Sequence, residues 1–260
     1  MAADPRLTPA RNDLAAEHLR GAVEAPRYAR GESCAVVAPL ADLLAEPGDL
    51  ALASQLLHGE TFTVYDRSGG LAWGQCETDG YVGYVAETAL ATLGPVPTHR
   101  VASLGAQVYA VPGLKQTPVS ALPWQARVAV DSEADGYARI AGGWWCPAQL
   151  LEPLDTAEAD YVTSAGRLLG VPYLWGGRSQ AGLDCSALVQ LAAAAGGIAM
   201  PRDSDLQAGC GAPVNGARAR GDLVFWRGHV GILADADTLP ETRRHSEMEL
   251  KQLKELQTAL

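Results

Sequence analysis

No stretch of this chain approaches the roughly 18 consecutive apolar residues that a membrane-spanning helix needs. A basic surplus is missing too: 20 Lys and Arg face 30 Asp and Glu, a formal charge of −10. A nucleic-acid backbone asks for a positive footprint, so it is excluded as the main partner. The same balance gives no reason to expect an anionic membrane surface. The opening residues, "MAADPRLTPARNDLAAEHLRGAV", carry Asp4, Asp13 and Glu17 where a secretory leader would carry an apolar run, so a mature cytoplasmic chain is expected. Cysteine is sparse: Cys34, Cys76, Cys146, Cys185 and Cys210 make an odd number at wide spacings, with no CxxC. That argues against a zinc ribbon, a thioredoxin-type pair or a disulfide framework. His18, His58 and His99 match no ligand spacing, so no metal and no cofactor are expected.

What is present is a chain of 260 residues, 48% of them hydrophobic, long enough for one large domain or two to three small ones. Residues 1–30 are polar, with one short helix predicted from Asp13 to Arg20. From 31 to 93 the texture is strand, turn, strand. Phe62 and Val64 alternate with Thr61, Thr63 and Tyr65, and Ser68-Gly69-Gly70 and Asp79-Gly80 punctuate hairpins. A linker around "GPVPTH" follows, and residues 99–153 repeat the pattern with a turn at Asp135-Gly136. Trp144-Trp145 reads as a packed strand of this second unit. Modules this small bury limited cores alone, so docking on a neighbour is expected.

After Pro153 the period changes to helical. Tyr161, Val162, Ala165, Leu168 and Leu169 share a face, with Thr156 as the predicted cap and Gly170 as the stop. A second helix is predicted over 186–195 and ends at Gly196-Gly197. "GDLVFWRGHVGILADADTL" reads as two short strands around Arg227-Gly228. At the end, Leu250, Leu253, Leu256 and Leu260 recur between Glu and Lys, as in an amphipathic helix or a charged tail.

Cys185 sits where a glycine-containing loop, "YLWGGRSQAGLDCS", enters a helix. The unpaired N–H groups of a helix's first turn stabilise a thiolate and lower its pKa, and they can also hold an oxyanion. His229, 44 residues downstream, begins a strand that could pack on that helix and bring a base to the thiol. Taken singly, each residue reads better as part of a core than as a catalytic group. Trp175 and Trp226 read as core or pocket wall, and Arg202, Asp203 and Asp205 as a solvated loop.

Together, "PYLWGGRSQAGLDCSALVQ" and "GDLVFWRGHVGI" resemble the NlpC/P60 cysteine peptidases, over about residues 155–239. The two upstream units are similar to bacterial SH3-like modules. The resemblance implies an α+β fold: a papain-like catalytic domain over 155–260, preceded by two small SH3-like β-barrels at 31–93 and 99–153. It also implies hydrolysis of the γ-D-glutamyl–diamino acid bond in murein peptides with a free N-terminal L-Ala, during cytoplasmic peptide recycling. Cys185 would be the nucleophile and His229 the base. Tyr173 would assist the oxyanion, Asp184 and Ser186 would bind the substrate's amino end, and Tyr81 would cap the pocket. The family orients its base with a third polar residue about a dozen positions on, usually histidine. Here that count reaches Glu241, and the nearest histidine is His245, within an atypical segment over 240–260. Glu241, His245 or neither fills the role. A catalytically impaired murein-peptide-binding protein is therefore the alternative, and neither reading predicts an oligomeric state.

Overall fold

A computed structural model describes residues 4–236 of the chain. Glu241, His245 and the leucine-rich tail lie outside the described residues. Among the described residues no helix is long and apolar enough to cross a membrane.

The first β unit is a seven-stranded antiparallel sheet. In spatial order its strands are Leu90–Thr92, Glu32–Val36, Thr61–Ser68, Leu71–Cys76, Val82–Ala86, Leu40–Leu44 and Ser54–Leu57. The alternation expected at Thr61–Tyr65 is observed: Phe62 and Val64 are buried in a core with Leu43, Leu56 and Val85. Gly69 and Gly70 both have positive φ, the backbone that a tight hairpin connection requires.

The segment ahead of this unit is not helical at Asp13–Arg20. Ala10–Arg11, Leu14–Ala16 and Tyr28–Ala29 form a small sheet, followed after Ala16 by a single 3-10 turn at Glu17–Leu19. So short a helix would be marginal alone. Tertiary contacts decide instead: Leu14, Ala15 and Ala16 are fully buried, and Arg11 pairs with Asp13 and Asp66 while lying over the Trp73 ring.

The second β unit has its own core of Val101, Val108, Leu122, Val128, Ile140 and Cys146. Its hairpin of Val130–Ala134 and Tyr137–Ile140 turns at Asp135 and Gly136, both with positive φ as a two-residue turn of this hand demands. Trp144 and Trp145 lie on the strand Trp144–Pro147, but Trp144 is 43% exposed, so that pair is packed less fully than expected.

Among the described residues the last unit carries three helices: α1 (Tyr161–Gly166), α2 (Cys185–Ala195) and α3 (Ser204–Gln207). Asp160, not Thr156, caps α1 by accepting from the Val162 N–H. Strands Leu223–Trp226 and His229–Ile232 form a hairpin, with Gly228 at positive φ in its turn. The core around α2 takes in Val162, Leu168, Val230 and Ile232, and it also takes in Leu57 of the first β unit and Trp124 of the second. Each β unit thus keeps its own core and lends a buried side chain to the cluster around α2, the docking their small size called for. Gly59 marks how close they come: any Cβ there would collide with the Arg127 backbone across the junction.

Candidate active site

Cys185 is the first residue of α2, half-buried, with Asp184 as the N-cap. One Asp184 oxygen accepts from the Ala187 N–H at 2.9 Å, and the other accepts from the Gly176 N–H at 2.9 Å. Gly176 sits at φ +76°, pressed against Leu52 of the first β unit, so both backbone and space exclude a side chain. The glycine loop is therefore fastened to the cap of the helix that follows it.

Arg202 completes this anchor. Fully buried, it makes a bidentate pair with Asp184 at 2.9 and 2.7 Å, donates to Ser186 Oγ at 3.0 Å, and donates through Nε to Ser54 Oγ at 2.9 Å. The loop expected to be solvated begins with a fully buried cation. A buried charge persists only when paired and hydrogen-bonded, and every guanidinium nitrogen of Arg202 has a partner. The same contacts engage Asp184 and Ser186, the pair expected at the substrate's amino end. Both are buried, with their side chains bonded to Arg202 and to the helix, so they hold the first turn of α2. Gln207 adds a further tie, donating to the Ser186 and Pro201 carbonyls at 2.9 and 2.8 Å.

The thiol itself departs from expectation. Burial pushes Cys185 up to about 11, aided by the Asp184 charge. The Val230 and Ser186 N–H groups and the Arg202 charge pull the other way without prevailing. A helix N-terminus lowers a thiol pKa only if desolvation does not cost more. The strand that supplies the Val230 N–H begins with His229, which is 9% exposed and packs its ring 4.7 Å from that of Trp226. The expected strand against the nucleophile's helix is thus present. Trp226 walls the histidine, whereas Trp175 is 65% exposed and belongs to no core. Tyr173 pairs with Leu183 beside the short hairpin Arg178–Ser179/Gly182–Leu183 that leads into Cys185, and it is half-exposed.

Tyr81 reaches across from the first β unit. Its hydroxyl donates to Asp203 Oδ2 at 3.0 Å, just ahead of α3. Burial raises the Asp203 carboxyl, while Tyr81, Arg202 and Arg6 act to keep it ionised. Asp79, two residues before Tyr81, accepts from Gln190 of α2 at 3.0 Å, so the Tyr81 turn is tied to the nucleophile's helix. The residues alone give no signal for Asp203, because an Arg-Asp-Ser-Asp run has the texture of any solvated loop, although the family resemblance places substrate-lining residues in this segment.

Comparison with known proteins places this geometry. Residues 170–258 match the model of the NlpC/P60 family, and residues 43–90 match that of a bacterial dipeptidyl-peptidase SH3 domain. The chain is 28% identical to a gamma-D-glutamyl-L-lysine dipeptidyl-peptidase of Bacillus subtilis, over 68% of this chain and 65% of that protein. It is 30% identical to a probable endopeptidase of Corynebacterium glutamicum, over 62% of this chain and 77% of that protein. The chain thus spans slightly less than two thirds of the Bacillus relative's length. The crystal structure of an NlpC/P60 family protein from Bacillus cereus shares its fold, with a TM-score of 0.71 and 22% identity over 82% of this chain and 92% of that one.

Proposed function

We propose a function from one premise: the chain belongs to the NlpC/P60 family. On that reading it is a cysteine peptidase that hydrolyses the γ-D-glutamyl–diamino acid bond of cell-wall peptides bearing a free N-terminal L-Ala. The observation that carries the reading is the meeting of two features. A cysteine heads a helix against a strand that begins with histidine, and a carboxylate from the same unit meets a tyrosine from the first β unit.

The thiol is protonated at neutral pH, so its activation falls to His229 as general base. The Cys185 thiolate attacks the γ-carbonyl carbon, and the α2 N-terminus stabilises the oxyanion. The imidazolium protonates the leaving amine of the diamino acid. Water activated by the same imidazole then releases the acyl group from sulfur. Tyr81 and Asp203 receive the substrate's ammonium: a carboxylate held on one side by a hydroxyl is a charge-assisted acceptor for an N⁺–H donor. A lock on the free amino end suits short soluble peptides and so a cytoplasmic recycling role, with residues 99–153 as a second SH3-like unit. The name of the Bacillus subtilis relative makes L-lysine a candidate diamino acid alongside diaminopimelate.

The raised thiol pKa favours a second reading, a murein-peptide-binding protein with an impaired site. One experiment separates the two. The protein and its Cys185→Ala variant are incubated with L-Ala-γ-D-Glu-diaminopimelate, and release of L-Ala-D-Glu is followed by mass spectrometry. Release by the parent alone supports the peptidase. Binding without release by either supports the binding protein.

A further inference from the structure

The N-terminal segment reaches the same carboxylate. The Arg6 carbonyl accepts from the Val82 N–H at 2.7 Å, the Leu7 carbonyl accepts from Gln75 Nε2 at 2.9 Å, and the Leu7 side chain packs on the core of the first β unit. The backbone is therefore fixed to that unit, and the Arg6 side chain crosses to the peptidase unit. Nη1 donates to Asp203 Oδ2 at 2.8 Å and to Asp205 Oδ1 at 2.9 Å, and Nη2 donates to Asp205 Oδ2 at 2.7 Å. Asp4 grips the guanidinium from behind through Nε and Nη2, at 3.1 and 2.7 Å.

Arg6 and Tyr81 donate to the same oxygen of Asp203. No hydrogen bond among the described residues reaches the other oxygen, and the side chain is 24% exposed. A carboxylate held on one oxygen by two fixed donors cannot rotate that oxygen away, so the second keeps one direction. The arrangement does not spend the negative charge either. Three carboxylates, Asp4, Asp203 and Asp205, surround one guanidinium, and the nearby Arg202 charge is taken up by Asp184. The cluster still attracts a further cation.

We propose that Arg6 is a positioning residue for amine recognition: it holds Oδ2 of Asp203 and so presents Oδ1 to the ammonium of the substrate. This rests on the reading of Asp203 as the amine acceptor. The Arg6 pairs remain in part open to solvent, and screened pairs of this kind contribute little to stability, so the role shows chiefly in selectivity.

The test is a calorimetric titration of the full chain in a Cys185→Ala background. The two probes are L-Ala-γ-D-Glu-diaminopimelate and its N-acetylated form, and the readout is the ratio of their Kd values. A parent preference for the free amine of roughly tenfold or more is expected. Asp203→Asn and Arg6→Ala should each bring the ratio close to one, and Arg6→Lys, which can reach only part of the carboxylate set, should restore part of it. A purely structural Arg6 would weaken both peptides together and leave the ratio where it was. Arg6→Gln, which keeps the stem, substitutes if Arg6→Ala fails to fold. If Asp203→Asn abolishes the preference while Arg6→Ala retains it, the Arg6 proposal is overturned and the amine reading stands. If the parent shows no preference, or Asp203→Asn keeps it, the amine reading fails and the proposal fails with it.

Discussion

The two β units dock on opposite ends of α2, and they do different work there. The first meets the N-terminal end. Its Ser54 accepts from Arg202, and its Gln55 and Glu60 hold the buried Arg178 just ahead of the cysteine loop. Its Asp79 takes Gln190, and its Tyr81 takes Asp203. The second meets the C-terminal end. Its Arg100, 5% exposed, donates to the Ala194 and Ala195 carbonyls at 3.2 and 3.1 Å, to the Thr156 carbonyl at 2.8 Å, and to Glu152 at 2.6 Å. A cation there satisfies orphan carbonyls and suits the negative end of the helix dipole. One unit builds the site around the thiol, and the other braces the far end of the same helix. The lesson is that similar small sheets serve a helix differently according to which of its ends they meet.

Variants at the two ends should behave differently in kind. The largest effect is expected at the thiol: Cys185→Ala should remove turnover of L-Ala-γ-D-Glu-diaminopimelate entirely, with the far-UV circular dichroism unchanged. Next comes Arg202→Leu, which strands the buried Asp184 carboxylate. Breaking one partner of a buried pair costs about 3–5 kcal/mol, so a chemical-denaturation midpoint should fall sharply and turnover with it. An Arg202 variant as stable as the parent would refute the anchor described above. Arg100→Ala should cost less, about 1–3 kcal/mol for carbonyls left unsatisfied. It should leave kcat within about tenfold, because it touches only the braced end. An Arg100 variant that kept full stability but lost kcat would reverse the comparison.

The pH dependence follows from the thiol. A group pushed up to about 11 stays protonated at neutral pH, so its alkylation must climb with pH and level off only near that value. In His229→Ala, iodoacetamide labelling of Cys185 should follow this late rise, with exposed Cys210 as the internal standard. With His229 intact, labelling should begin at lower pH, and coincident profiles would show that the histidine does not activate the thiol. The smallest effect is expected at Trp144→Ala, on the second β unit and 43% exposed, which should cost about 1 kcal/mol of stability and leave kcat unchanged.

Much of the architecture was legible in particular residues. Alternation at Thr61–Tyr65, the paired turn residues at Ser68-Gly69-Gly70 and Asp135-Gly136, and the strand–turn–strand at Leu223–Ile232 all carry local instructions, and the structure follows them. The short segment Asp13–Arg20 misled because a weak helical period lost to burial of Leu14–Ala16 and the Arg11 pairs. Arg6 was illegible for another reason, and Arg202 and Asp203 showed only through the family resemblance and not through their own pattern. Charged residues in a polar run look the same whether they meet solvent or one another.

By itself the sequence determined where strands turn, where α2 begins, and that a cysteine heads it and a histidine opens a later strand, because these depend on neighbours a few residues apart. Only the tertiary structure decided that Arg202 would be buried against Asp184 and that Arg6 would cross to Asp203 from nearly 200 positions away. It likewise decided that burial would outweigh the helix N-terminus at Cys185. Those outcomes depend on desolvation and on partners distant in the chain, and neither is set by local pattern.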